Sequence, residues 1–251
     1  MSDRILTALP VYNEAGHVPS VLNQVLQHAD DVLVVNDGST DGTAAVLEQF
    51  ADRICVEDHV VNRGYGAALA TAFRYAVKYG YDVLVTIDCD GQHQPQLINE
   101  IAAQVDDPTC PADMVSGSRY LKLFDGNSAP PEDRRRVNMQ ITRCLNEKLG
   151  FEITDAFCGF KAYRVSALAD LDITVPGYAM PLQLWVQASD LDWRITEFPI
   201  PLVYLDEERS FGGALDETAV RLEHYRDVLN AELSRRGMTP RFTADCGQSA
   251  D

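Results

Sequence analysis

Asp88-Cys89-Asp90-Gly91-Gln92-His93 follows the apolar run Val83-Leu84-Val85-Thr86-Ile87 without a break. Two carboxylates one residue apart thus stand where a stiff, β-branched strand gives way to a loop. At such a frayed end Asp88 and Asp90 can converge on one point. Carboxylates that close repel each other, and a hard divalent cation with oxygen ligands relieves the repulsion. A plain turn is the competing explanation for these six residues, because Asp and Gly are frequent in turns.

The elements that must position them can be read from the same sequence. Strands are predicted at Arg4–Pro10, Asp31–Val35, Arg53–Val56, Tyr81–Ile87 and Asp113–Gly117, and helices at Val18–His28, Gly42–Phe50, Gly66–Tyr79 and Pro95–Val105. This alternation predicts an α/β fold, a mostly parallel central sheet with helices on both faces. In such sheets the loops leaving the carboxyl ends of the strands carry the ligand site. The polar clusters fall at those ends: Tyr12-Asn13-Glu14, Asn36-Asp37-Gly38-Ser39, Asp88–His93 and Ser118-Arg119.

After Arg119 the pattern changes. Asp125–Asp133 reads as a mobile loop, followed by a basic helix from Arg134-Arg135-Arg136 to Lys148. A short strand (Phe157–Tyr163), a helix (Met180–Ser189), a strand (Trp193–Pro199) and a charged helix (Asp216–Arg236) complete the chain. The expectation is one domain over residues 1–236, with a donor half at 1–120 and an acceptor half at 121–236, and a disordered tail at 237–251.

Composition narrows the chemistry. The 251 residues carry 21 Lys and Arg against 38 Asp and Glu, a formal net charge of −17, which argues against a nucleic-acid partner. An anionic ligand would need a local arginine cluster or a metal. The six cysteines show no CxxC pair and read as reduced thiols. Met1-Ser2-Asp3-Arg4 runs straight into a strand, unlike a signal peptide, and no apolar stretch approaches the roughly 20 residues that span a bilayer. The expected location is the cytoplasm, with membrane contact at most peripheral.

Pro10-Val11-Tyr12-Asn13-Glu14, Val35-Asn36-Asp37-Gly38-Ser39-Thr40-Asp41-Gly42-Thr43, Asp88–His93 and Gly117-Ser118-Arg119-Tyr120 together resemble the family 2 glycosyltransferases of the GT-A fold, a Rossmann-like nucleotide-diphospho-sugar transferase fold. The order continues with Asp155-Ala156-Phe157-Cys158-Gly159-Phe160-Lys161-Ala162-Tyr163-Arg164, Gly177-Tyr178 and Glu197-Phe198-Pro199-Ile200. Within that family the chain is most similar to the dolichyl-phosphate mannose and polyprenyl-phosphate sugar synthases.

The resemblance implies a metal-dependent, inverting hexosyltransferase that moves a sugar from a UDP- or GDP-linked donor to an acceptor such as a polyprenyl phosphate. It places Pro10, Tyr12, Glu14, Val35 and Asp37 around the nucleotide, with Asp37 accepting a hydrogen bond from the base. Asp88, Cys89, Asp90, Arg119 and Arg209 would complete the donor site. Asp88, Asp90 and Gln92 would hold Mg2+ or Mn2+. His93 would touch a phosphate or support its neighbours. Arg119 would face a phosphate, and one of Arg134, Arg135 and Arg136 would meet the acceptor. The catalytic set implied is Asp88, Asp90, Arg119 and Asp155, the last as the remaining candidate base.

Several positions depart from the family pattern. Asn36 stands where an acid is usual, Gln183 where many members have a carboxylate, and no lysine follows the glycines of Arg209-Ser210-Phe211-Gly212-Gly213. Two other functions compete. One is a sugar-nucleotide-binding or regulatory subunit without transfer. The other is a haloacid-dehalogenase-type phosphatase with Asp88 as nucleophile, which leaves the Tyr12 and Asp37 clusters unexplained.

Overall fold

The computed structural model describes residues 3–128, 130–203 and 217–247. In chain order the elements are β1 (Ile5–Val11), α1 (Val18–Val25), β2 (Asp31–Asn36), α2 (Thr43–Glu48), β3 (Cys55–Asp58), α3 (Tyr65–Tyr79), β4 (Val83–Thr86), α4 (Ile98–Ala103), β5 (Met114–Ser118), α5 (Glu132–Leu149), β6 (Lys161–Arg164), α6 (Val165–Leu168), α7 (Met180–Asp190), β7 (Ile195–Pro199) and α8 (Thr218–Arg235).

The strands form one seven-stranded sheet in the order β3-β2-β1-β4-β6-β5-β7. β6 runs antiparallel to both β4 and β5, while the β1–β2, β2–β3, β1–β4 and β5–β7 pairs are parallel. All strands except β6 therefore point the same way, and their carboxyl ends share one edge. The order reverses at β1: the chain first builds outward through β2 and β3, then returns to place β4 on the other side. A reversal of this kind opens a crevice for ligands at the strand ends.

Both faces of the sheet are covered, which explains the unbroken apolar runs. Leu6, Ala8, Leu33, Val35 and Leu84 project into one buried cluster with α3, α5, α7 and α8. Leu9, Val11, Val32, Val34, Val83 and Val85 project into the other, with α1 and α4. Alternation with period two decides which face each side chain serves.

Two expectations change here. The loop before α5 is tied down: Ser128 N donates to Leu202 O at 2.8 Å, and Leu202 N donates to Asn127 Oδ1 at 3.1 Å. The predicted tail is folded as far as Gly247. Of its apolar side chains, Phe242 and Cys246 are buried in the cluster shared with α5 and α8, and Met238 packs against it. Asn230 Nδ2 donates to Phe242 O and Gln140 Nε2 to Cys246 O, which fixes the segment to both helices. No described helix is long and apolar enough to cross a membrane.

Candidate active site

A cavity of about 510 Å³ opens at the carboxyl edge of the sheet. Its wall takes Pro10, Tyr12 and Glu14 from the end of β1, Asp37 from the end of β2, Asp88, Cys89, Asp90 and Gln92 after β4, and Arg119 after β5. Arg134 reaches it from α5. Most of the residues singled out by the sequence are thus brought together by the strand ends.

Asp37 is almost fully buried, and its carboxylate organises the loop before α3. His59 Nδ1 donates to Oδ1 at 2.6 Å, Arg63 N to Oδ1 at 2.9 Å and Gly64 N to Oδ2 at 2.7 Å. Gly64 holds φ at 98°, and a Cβ there would stand 2.4 Å from Pro176 O, so only glycine presents this amide. Asn36, the departure from the family pattern, turns away from the cavity. Its Nδ2 donates to Asp58 Oδ1 at 2.8 Å, and its Oδ1 receives Ser39 N at 3.3 Å.

Asp88 is held at both oxygens. Tyr65 Oη donates to Oδ1 at 3.0 Å and His93 Nε2 to Oδ2 at 3.1 Å, while the His93 ring stacks on Phe160 at 5.7 Å. A Cβ at Gly159 would lie 2.2 Å from Asp88 Oδ2, so the carboxylate occupies space that only glycine leaves open. Tyr65 also stacks on Tyr178, centroids 5.7 Å apart. Asp90 Oδ1 receives Gln92 N at 3.0 Å, which closes the turn that carries both groups. Among the described residues no three His, Cys, Asp or Glu side chains form a metal-binding group. Two carboxylates and an amide on one wall suit instead a cation whose remaining positions go to phosphate and water.

Arg119 and Asp155 form a two-pronged ion pair, Nε to Oδ2 at 2.7 Å and a terminal nitrogen to Oδ1 at 2.9 Å. Asp155 is fully buried and also receives Asn138 Nδ2 at 2.8 Å and Phe157 N at 3.1 Å. Burial opposes its ionisation, yet the Arg119 guanidinium outweighs that and holds the carboxyl down at about 2. A carboxylate so committed does not line the cavity. Its work is to aim Arg119, whose five N–H donors exceed what the pair uses.

Other sequence-predicted residues lie elsewhere. Val35 is fully buried in the core, because alternation along β2 puts it with Leu33 on the face that packs against α3, while Asp37 lies beyond the strand's end. Gln183 faces away from the cavity: its Oε1 receives Thr174 N and Val175 N, and its Nε2 donates to Thr174 Oγ1 and to Glu232 Oε2 at 2.8 Å. Arg135 and Arg136 are exposed and do not line the cavity. Arg209 lies outside the described residues. Lys161, in the motif after Asp155, is buried; its Nζ donates to Ser116 Oγ and sits 5.0 Å from the Trp185 ring centroid. Burial pushes its pKa down.

Sequence reasoning missed Tyr65, Asn138, Arg221 and Tyr225, all of which line the cavity. Tyr65 had a local signal, the Gly64-Tyr65-Gly66 turn that opens α3. Arg221 and Tyr225 had none, since only the packing of α8 on α5 and α7 brings them in.

The family model described as Glycosyl transferase family 2 matches residues 7–172. The undecaprenyl-phosphate mannosyltransferase of Micrococcus luteus is 33% identical over 239 residues, covering 88% of this chain and 93% of that protein. The polyprenol monophosphomannose synthase of Mycolicibacterium smegmatis is 32% identical, covering 79% of this chain and 77% of that one. A crystal structure of glucosyl-3-phosphoglycerate synthase from Mycobacterium tuberculosis, in complex with Mn2+, UDP and glucosyl-3-phosphoglycerate, superposes with a TM-score of 0.68 at 22% identity, over 94% of this chain and 81% of that one. The fold is GT-A, the phosphatase alternative has no further support, and the chain belongs to glycosyl transferase family 2.

Proposed function

We propose that this glycosyltransferase moves a sugar from a nucleoside-diphosphate sugar to a polyprenyl phosphate, with inversion at the anomeric carbon. The observation that carries this reading is the division of one cavity into two walls. The strand ends supply carboxylates and amides, and the helical side supplies Arg134, Arg221 and apolar surface from Val137, Phe157 and Tyr225.

The donor belongs at the strand ends. Tyr12 is partly exposed at the mouth and offers a ring face to a base or ribose. Asp37 fixes the loop that borders it. Asp90, Asp88 and Gln92 would hold Mg2+ or Mn2+, which when bound stabilises the charge on the departing nucleoside diphosphate. Tyr65 and His93 orient Asp88, and Asp155 orients Arg119 toward a phosphate.

The acceptor chemistry follows from what the helical wall holds. The described carboxylates that line the cavity, Glu14, Asp37, Asp88 and Asp90, all come from the strand ends. A hydroxyl acceptor needs a general base within reach. A phosphate acceptor arrives ionised and needs none, and attack opposite the leaving diphosphate inverts the centre. The names of the two relatives near one third identity support the same acceptor class. Arg135 and Arg136, exposed beside Arg134, give a chain of charge −17 a local basic surface for peripheral contact with a membrane.

The test is direct. Purified protein, Mn2+ and radiolabelled GDP-mannose or UDP-glucose are incubated with a polyprenyl phosphate in detergent, and label is followed into the organic phase. Label extractable as a sugar-linked lipid phosphate supports the reading. Absence of transfer from every donor tried, together with no thermal stabilisation by UDP or GDP in the presence of Mn2+, overturns it.

A further inference from the structure

The last helix of the fold had no assigned part in the site, yet it contributes two residues to the cavity wall. Arg221 and Tyr225 stand four apart on α8, so they share one face of the helix. Both are buried, 2% and 4% exposed, and both line the cavity. Arg221 donates from a terminal nitrogen to Asp133 Oδ2 at 3.1 Å, across to the first turn of α5. The Tyr225 ring lies against Phe157, with centroids 5.2 Å apart.

We infer that Arg221, together with Arg134, is the phosphate clamp of the acceptor subsite, and that the Phe157–Tyr225 ring pair receives the hydrocarbon attached to that phosphate. The inference rests on the transferase reading above and extends it to a helix that the sequence left unassigned. Three observations support it. A planar guanidinium matches phosphate geometry with paired N–H donors, and two of them, from α5 and α8, reach one wall. Both arginines come from helices, whereas the carboxylates that line the cavity come from the strand ends, so we assign their charge to a second anion rather than to the donor diphosphate. The surface beside the arginines is apolar and aromatic, which suits a phosphomonoester carrying a hydrocarbon better than inorganic phosphate or a phosphorylated hydroxy acid.

The experiment measures binding of farnesyl phosphate to the full chain loaded with Mn2+ and UDP or GDP, by titration calorimetry. Farnesol and inorganic phosphate serve as competitors. Farnesyl phosphate is expected to bind, and inorganic phosphate to compete far more weakly. Arg221→Gln should weaken farnesyl phosphate by ~10-fold or more, the range for losing a charged hydrogen bond, while nucleotide affinity stays unchanged. Arg221→Lys should retain most of the affinity. Asp133→Asn breaks the ion pair but keeps the guanidinium, so it should bind farnesyl phosphate at least as well as wild type. A merely structural Arg221 would make Asp133→Asn resemble Arg221→Gln.

If Arg221→Gln does not fold, Tyr225→Leu and the competition on wild type still decide the matter. Inorganic phosphate competing as well as farnesyl phosphate overturns the inference, as does Arg221→Gln binding like wild type. Failure of wild type to bind any nucleotide with Mn2+ instead overturns the transferase reading beneath it.

Discussion

Arg119 and Asp155, 36 residues apart, meet in a bidentate ion pair behind the cavity, and that pair decides what each can do. Asp155 holds a guanidinium through both oxygens, and we read the acid that the sequence offered as a base as a positioning residue. Arg119 in turn reaches the cavity with its orientation fixed. Asp155 also accepts a hydrogen bond from Asn138 Nδ2 of α5, which ties the segment before β6 to the helical wall of the site.

Replacing Asp155 by Asn should therefore cost stability before chemistry. Removing one partner of a buried pair leaves the other charge uncompensated, worth ~3 kcal/mol. The pH dependence has a definite sign. The folded carboxyl titrates at about 2, below its ordinary 3.8. Its contribution is complete above 3.8 and is lost as pH falls through about 2. Acid denaturation of wild type should show this loss in that window, and Asp155→Asn should lack it. Equal stability of the two proteins at neutral pH would remove the structural role claimed for the pair.

Gln183 allows a sharper test, because the family pattern suggests a carboxylate there. Gln183→Glu would set a second carboxylate against Glu232 at a site where the two side chains are 1% and 3% exposed. Arg235 and Arg236 hold Glu232 ionised, so burial beside that charge disfavours ionisation of the introduced carboxyl. A group with a raised folded pKa costs stability as pH climbs above its unfolded value, so the deficit should grow above about 4.5, the ordinary glutamate value. Denaturant melts across pH measure it, and kcat per folded molecule should be unchanged. A gain in activity or a new basic limb in the rate profile of Gln183→Glu would place this position in the site after all.

The outcome at Gln183 shows where sequence reading stops. The sheet, its helical covering and the four polar strand ends were legible because each depends on local periodicity and on where an apolar run ends. Asp88, Asp90, Gln92, Tyr12, Glu14 and Asp37 sit next to those ends and were carried to the cavity with them. Val35 sits next to one as well, but alternation turns it into the core. Asp155 and Gln183 have motif neighbours at the cavity, yet their own partners are Arg119 and Glu232, distant in sequence. Arg221, Tyr225 and Phe242 depend wholly on how α8 and its following segment fold back, and no local pattern encodes that.

Tyr65 supplies a prediction for the carboxylate wall. Its hydroxyl donates to Asp88 Oδ1, and Tyr65→Phe removes that bond while keeping the ring on Tyr178. Groups that orient a metal-binding carboxylate typically change metal affinity by 10-fold or more when removed. The midpoint of a Mn2+ titration, read as nucleotide-dependent thermal stabilisation, should rise by ~10-fold in Tyr65→Phe. In Asp90→Ala the Mn2+-dependent part should vanish. Equal Mn2+ midpoints for wild type and Tyr65→Phe would detach Tyr65 from the metal, and a retained Mn2+ response in Asp90→Ala would detach Asp90.

Phe242 tests the segment that the sequence left as a tail. The ring is 4% exposed and belongs to the core cluster, and its backbone is bonded on both sides by Asn230 of α8, through Asn230 Nδ2 to Phe242 O at 2.9 Å and Phe242 N to Asn230 Oδ1 at 3.0 Å. Phe242→Ala should cost ~3 kcal/mol or more, the usual range for a buried phenylalanine. For a chain of this length that is a fall in Tm of about 10 °C. Because Asn230 shares its helix with Arg221 and Tyr225, the variant should also lose affinity for farnesyl phosphate at temperatures where the bulk fold persists. Nucleotide binding at the strand ends should survive under the same conditions. A melting curve identical to wild type would return residues 237–247 to the solvent, and with them the anchor of the helical wall.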